Sequence, residues 1–330
     1  MFLGTLEQSF IFAIMVLGVY ISYKILDFPD MTVDGSFPMG GSIAAAMLIK
    51  GWNPIIALIV AMCGGAIMGF ITGIIHVKLK VTNLLAGIIV MTGLYSINLR
   101  IMGKSNIPLF GVNHLFNFEA EGSIEFFKRI AQNYKYMPIV VVLILLFLVK
   151  MALDFLLKTK FGFALKALGD NESLVISLGL DEKKLKIAGL MIANSLVSLS
   201  GAILAQYQGF ADVGMGTGTI VTGLASIIIG DALFSSRKMI NITTIVIIGT
   251  LIYRSIIATA LKIGMNPSDL KLVTSVLVIA IIFVKEKKDS VILNKFRKKE
   301  ETKGIKQYEG MLKTPEEIAE EERERRNRGK

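Results

Sequence analysis

The sequence predicts an all-α, polytopic transmembrane helical bundle of about nine spans, short or broken helices included. Three observations lead there. Of the 330 residues, 53% are hydrophobic and the mean hydropathy is +0.62, more apolar than a soluble domain clothed in polar surface. Two stretches, Ile55 to Val77 and Ile187 to Ala211, contain no Asp, Glu, Lys or Arg, and about 20 apolar residues suffice for a helix to cross a bilayer. The net charge of +10 is gathered at the ends of such stretches and in the C-terminal region, which is how membrane orientation is encoded and not a nucleic-acid footprint.

Taken in order, apolar segments fall near residues 8–26, 37–49, 55–77, 82–102, 137–156, 186–207, 219–234, 239–260 and 270–284. The first lacks a basic region before it and a small-residue cleavage site after it, so it reads as a retained helix. Segments 37–49 and 219–234 are too short to cross straight and are expected to be broken or re-entrant, lining a cavity where irregular backbone is tolerated. The lone Cys63 lies within an apolar run and reads as a buried packing residue; one cysteine excludes a disulfide framework within the chain. Gly65, Gly69 and Gly73 recur every four residues on one helical face, a pattern for close helix packing.

Basic residues set the orientation. Lys158, Lys160, Lys166, Lys183, Lys184 and Lys186 crowd one connection, with Lys78 and Lys80 in a second and Arg237 and Lys238 in a third, and all are expected on the cytoplasmic side of the cell membrane. An odd number of crossings then puts the N-terminus outside and the C-terminus in the cytoplasm. Residues 103–137 face the exterior on this scheme, although Arg100 and Lys104 count against it. The sequence divides into a transmembrane domain at 1–284 and a charged tail at 285–330, whose 15 basic and 11 acidic residues include a basic cluster at 295–299 suited to anionic lipid.

The connection at 158–186 holds the most informative local pattern. Asp170 reads as the N-cap of a short helix whose apolar face is Leu174, Val175 and Leu178; Gly179 closes it in a left-handed conformation, and Asp181 caps the next helix. On composition alone such a helix lies either on lipid headgroups or against a protein partner. The order Ala167, Gly169, Asn171, then Gly179-Leu180 and a lysine-rich step, resembles the coupling segment of branched-chain amino acid and ribose-type permeases of ATP-binding-cassette importers. Gly201-Ala202, Gln206 to Gly209, Gly214 to Gly218 and Gly223 to Gly230 extend the likeness, and Thr32 to Gly40 is similar to a narrower, amino-acid-related branch.

The resemblance implies a type II-like permease subunit for a small polar metabolite, with an amino acid or related compound as the leading substrate class. It implies contact with a cytoplasmic ATPase through Gly169, Asp170, Asn171, Glu172, Leu174, Leu178 and Gly179, delivery of substrate by an external binding protein, and pairing with a second permease subunit, taken as a homodimer. ATP and Mg are then bound by the ATPase, and this chain needs no cofactor; it has no Walker A pattern.

Polar residues within the apolar segments are the candidates for a translocation path or gate: Asp34, Ser36, Asn83, Tyr95, Asn98, Asn194, Gln206 and Arg254. Each has an alternative as a partner of a neighbouring helix. Asp34 is expected near the cytoplasmic mouth, as a gate or as a cap for the helix after Pro38. Arg254 either meets a substrate carboxylate, pairs with Asp212 or Asp231, or snorkels. Gly214, Gly216 and Gly218 are read as a turn into a short helix and not as a phosphate loop. His76 and His114 stand apart from any ligand cluster, so no metal is assigned, and no catalytic constellation stands out. A sugar or nucleoside importer and an ion-driven secondary transporter are the competing readings; the latter favours acidic residues centred in long spans.

Overall fold

The computed structural model describes residues 2–116, 137–234 and 241–266, scattered positions between 269 and 283, and residue 328. Its helices are α1 (Phe2–Tyr20), which runs on through a π-helical turn at Ile21–Ile25, α2 (Val33–Ile49), α3 (Pro54–Leu79), α4 (Asn83–Met102), α5 (Met137–Lys158), α6 (Lys160–Asp170), α7 (Glu172–Ser177), α8 (Glu182–Gln208), α9 (Thr219–Phe234) and α10 (Ile242–Lys262). Two three-residue strands, β1 (Asn106–Pro108) and β2 (Phe210–Asp212), pair antiparallel with Ile107 opposite Ala211.

Seven of these helices are long and apolar enough to cross a membrane, α9 being counted with the single 3-10 turn Val213–Gly216 before it, and α2 is a shorter apolar helix. Among the described residues the bundle therefore has eight apolar elements. The expected segment at 270–284 is described only in scattered positions, and the charged tail at 285–330 lies outside the described residues apart from one position.

Helix α8 is the hub, with α1, α2 and α3 packed around it. It is buried over most of its length because its sequence alternates small residues with Leu and Ile on every face. The three glycines of α3 face its backbone directly: a Cβ on Gly65, Gly69 or Gly73 would press into α8 at Asn194, Leu190 and Ile187 respectively. Removing side chains from this seam lets two backbones approach and gain dispersion contact that lipid cannot replace. Interhelical hydrogen bonds add to it, Ser198 Oγ donating to Ala61 O at 2.6 Å and Ser200 Oγ to Ile11 O at 2.7 Å. The packing reading of the glycine repeat holds.

These contacts fix the direction of each helix. Along α1, Glu7, Ile11 and Gly18 meet Tyr207, Ser200 and Ala193, so α1 is antiparallel to α8. Helix α2 is parallel to α8: Ser36 meets Asn194, and Gly41 meets Ala205. The bundle thus has one end carrying α6 and α7 and an opposite end carrying the strand pair. Outward faces of α3, α4 and α5 are strongly apolar, with Ile59, Phe70, Ile89 and Phe147 exposed, as expected for surface against lipid or a neighbouring subunit.

Cys63 belongs to that outward face and is exposed. The expectation of a buried cysteine is corrected: an apolar run in a membrane helix says that a residue avoids water, not that protein covers it.

Candidate functional site

The site grows from two breaks in the helical pattern. The first lies between α1 and α2. Here Asp27 takes a left-handed φ of 50° and the chain turns back into α2. Buried polar groups hold this turn. Asp30 accepts from the Thr32 N–H at 2.9 Å and from Asn194 Nδ2 at 2.7 Å, while Asn194 Oδ1 accepts from Ser36 Oγ at 2.7 Å. The Thr32 and Thr72 hydroxyls lie 2.8 Å apart. Within a bundle that excludes water, each of these bonds spares the desolvation cost of an unpaired group.

The second break precedes α9. From Gly209, at φ 74°, the chain passes through β2 and the turn Val213–Gly216 and reaches α9 in mid-bundle. Its first turn is capped by a residue from the other break. Asp34 Oδ1 accepts from the Ile220 N–H and Thr219 Oγ1, both at 2.8 Å, and Oδ2 accepts from the Gly218 N–H at 2.9 Å. Two broken helices therefore meet N-terminus to N-terminus, and one carboxylate answers the partial positive charge of both. Pro38, inside α2, has no N–H to give the Asp34 carbonyl, and Gly216 fits against that carbonyl only because it lacks a Cβ.

This places Asp34 level with the middle of α8, about half a turn from the Ser36–Asn194 bond. The expected position near the cytoplasmic mouth is corrected, and so is the expected cap: Pro38 lies within α2, and Asp34 caps α9. Local sequence suggested a local cap, while the true partner is 184–186 residues away.

Beside Asp34 opens a cleft of about 230 Å³. Its walls include Asp34, Pro38, Met91, Tyr95, Asn98 and Thr217. Asn98 is fully buried; its Nδ2 donates to Gly35 O at 3.2 Å and its Oδ1 has no hydrogen-bond partner among the described residues. The outward side of α4 at this level exposes Thr92, Tyr95 and Ser96. Polar groups facing hydrocarbon are costly, which favours water or protein on this side.

Of the eight path candidates, the structure brings Asp34, Tyr95 and Asn98 to the cleft. Ser36 and Asn194 are committed to the buried web behind it. Gln206 lies toward the strand end, accepting from the Leu115 N–H at 2.9 Å through Oε1, and its Nε2 has no partner among the described residues. Arg254 reaches α1: it donates to Gln8 Oε1 at 2.8 Å and its guanidinium lies 3.9 Å from the Phe12 ring centroid. Asn83 is half-buried at the start of α4. Sequence reasoning missed Thr217 and Met91, which carry no signal until the two breaks are juxtaposed, and it missed Asp30, whose burial only the fold reveals.

At the other end, Thr159 caps α6, accepting from the Gly162 N–H at 3.3 Å. The cap of α7 is Asn171, not Asp170: Asn171 Oδ1 accepts from the Leu174 N–H at 3.1 Å, whereas Asp170 closes α6. The two residues compete for one role, and the extended conformation at Asn171 decides it. Gly179 has φ 74° and Asp181 caps α8 through the Lys183 and Lys184 N–H groups. Lys186 Nζ donates to Glu172 at 2.7 Å and holds that carboxyl below the ordinary glutamate range. Of the expected apolar face, Leu174 and Leu178 point outward, joined by Ile176, Leu180 and Phe163, while Val175 is buried. Gly169 turns inward, where a Cβ would strike the carbonyl of Ile25 in the π-helical turn.

Comparison with known proteins agrees with this architecture. The chain is 49% identical over 280 residues to the tyrosine transport system permease protein of Clostridioides difficile, covering 85% of this chain and 90% of the relative. It is 27% identical over 266 residues to the ribose import permease protein RbsC of Bacillus subtilis, covering 79% and 77%. A probable branched-chain amino acid transport permease protein, LivH of Methanocaldococcus jannaschii, is 27% identical over 219 residues, covering 61% and 64%. No solved structure matches. Residues 1–284 match the model of the branched-chain amino acid transport system permease component, and the chain belongs to that family, the membrane permeases of ATP-binding-cassette importers.

Proposed function

We propose that this permease imports an amino acid with an apolar or aromatic side chain and takes its driving force from a separate cytoplasmic ATPase docked on α6 and α7. The observation that carries the coupling is the exposed apolar patch of Leu174, Ile176 and Leu178 on a helix capped at both ends and bolted to α8 by Glu172 and Lys186. Water solvates such a patch poorly, and a protein groove covers it well. Gly169 against Ile25 gives the patch a route inward, since displacement of α6 bears on the π-helical turn and thus on the break that carries Asp30 and Asp34.

Orientation follows from the same patch: the α6–α7 end is cytoplasmic, and the N-terminus of α1, which lies by Tyr207, is outside. ATP and Mg belong to the ATPase, an external binding protein delivers the substrate, and a second copy of this chain covers the polar face of α4. The 49% identity to a tyrosine permease supports the substrate class. Asp34, Tyr95 and Asn98 then line the path, Gly169, Asp170, Asn171, Glu172, Leu174, Leu178 and Gly179 form the coupling segment, and Arg254 has a structural role.

The deciding experiment is affinity purification in mild detergent of the intact chain beside a variant with residues 169–180 replaced by a flexible linker. Recovery of a cassette ATPase with the intact chain alone is the expected result; recovery with both, or with neither, removes the coupling assignment. Uptake by the reconstituted complex of L-tyrosine or L-leucine in preference to ribose tests the substrate class.

A further inference from the structure

The cleft beside Asp34 has a one-sided chemistry. Asp34 is the single charged residue among the described residues lining it. The nearby N–H groups are spent: those of Gly218 and Ile220 go to Asp34, that of Gly214 to Asp212, and that of Thr217 to Gly214 O. What remains is acceptor capacity together with the Tyr95 and Thr217 hydroxyls, which donate or accept. The Asn98 amide is oriented by its bond to Gly35 O, so the end left over is its oxygen, buried and unpartnered. Asp34 Oδ2, which takes one hydrogen bond, retains a lone pair.

We propose that this cleft binds the primary ammonium group of the transported amino acid between the Asp34 carboxylate and the Asn98 carbonyl, with the substrate's side chain against Met91, Pro38 and the Tyr95 ring. The proposal rests on the amino acid reading above and deepens it. An ammonium has three donors and no acceptor, which matches a cleft rich in acceptors and carrying negative charge. A carboxylate finds no cation among the described lining residues and meets the Asp34 charge, with the Tyr95 and Thr217 hydroxyls as donors. The volume of about 230 Å³ suits one amino acid, and the aromatic ring and thioether offer an adaptable apolar shelf.

The test uses the permease–ATPase complex in lipid nanodiscs without binding protein, with radiolabelled L-tyrosine in equilibrium dialysis. Tyramine, which keeps the ammonium and lacks the carboxylate, is expected to displace the label. 3-(4-hydroxyphenyl)propanoate, which keeps the carboxylate and lacks the ammonium, is expected to be weaker by about tenfold or more. Thr92→Lys adds a cation at an exposed position on the cleft wall and is expected to weaken L-tyrosine by about tenfold, while Thr92→Glu strengthens it. Equal competition by the two analogues, or shifts of the same sign in both variants, overturns the proposal. Uptake by the complete complex separates the two failures. If it carries L-tyrosine or L-leucine yet the analogues compete equally, the site is wrong and the amino acid reading stands; if it carries ribose and no amino acid, both fall.

Discussion

The Asp34 carboxylate and the Thr219 hydroxyl, 185 residues apart in sequence, meet at 2.8 Å where two broken helices begin. Each helix presents a positive dipole end in a setting without bulk water, and the N–H groups that start α9 are paired by Asp34. One acidic side chain serves both, so this junction is where the two halves of the fold can be loosened by a single change.

Asp34→Ala removes three hydrogen bonds at once and is expected to lower stability by about 2 kcal/mol, the upper range for a lost N-cap. Asp34→Asn keeps an acceptor and loses less. A thermal melt in detergent, followed by uptake normalised to folded protein, ranks the variants; equal melts for Ala and wild type refute the capping role.

Asn171→Ala removes the cap of α7 and is expected to cost about 1 kcal/mol locally, fraying the helix that presents Leu174 and Ile176. The expected consequence is weaker recovery of the ATPase with unchanged insertion in the membrane. Asp170→Ala, which leaves the cap in place, should lower recovery less.

Gly69→Val forces a branched side chain into the α8 backbone at Leu190 and is expected to cost at least about 1–3 kcal/mol, the range for overpacking. Gly93 has open space where its Cβ would be, so Gly93→Ala tests whether a glycine in these helices matters for packing or for its own sake. A fall in the melting temperature for both would point away from the seam.

Arg254→Ala loses the bond to Gln8 and the stacking on Phe12, together worth about 1–2 kcal/mol. Arg254→Lys is expected to recover only part of this, since an ammonium cannot reproduce the planar contact. Transport per folded molecule should stay within about twofold of wild type; a selective loss of transport would return Arg254 to the path.

Much of the fold was legible in the chain because lipid imposes simple rules. Helix-length apolar runs at 55–77, 82–102, 137–156 and 239–260 reappear within a few residues as α3, α4, α5 and α10. The glycine repeat of α3 announced its seam, and the short segments at 37–49 and 219–234 announced the breaks. Side-chain partnerships were less accessible. Asp34 and Thr219, or Asp30 and Asn194, are joined by topology alone, and no local pattern distinguishes an acid that caps its own helix from one that caps another. Asp170 and Asn171 differ as caps through one extended residue. For Cys63 and Arg254, hydrophobic surroundings revealed depth but not which neighbour lay alongside.

The connection from Gly209 to Thr219 is fastened twice, at one end by the ladder between β2 and β1 and at the other by Asp34. A strap tied at both ends cannot slide along the bundle. On the coupling proposed above, force delivered to the far end of α9 swings that helix about its tethered start, with Asp34 as the fulcrum of a lever beside the cleft.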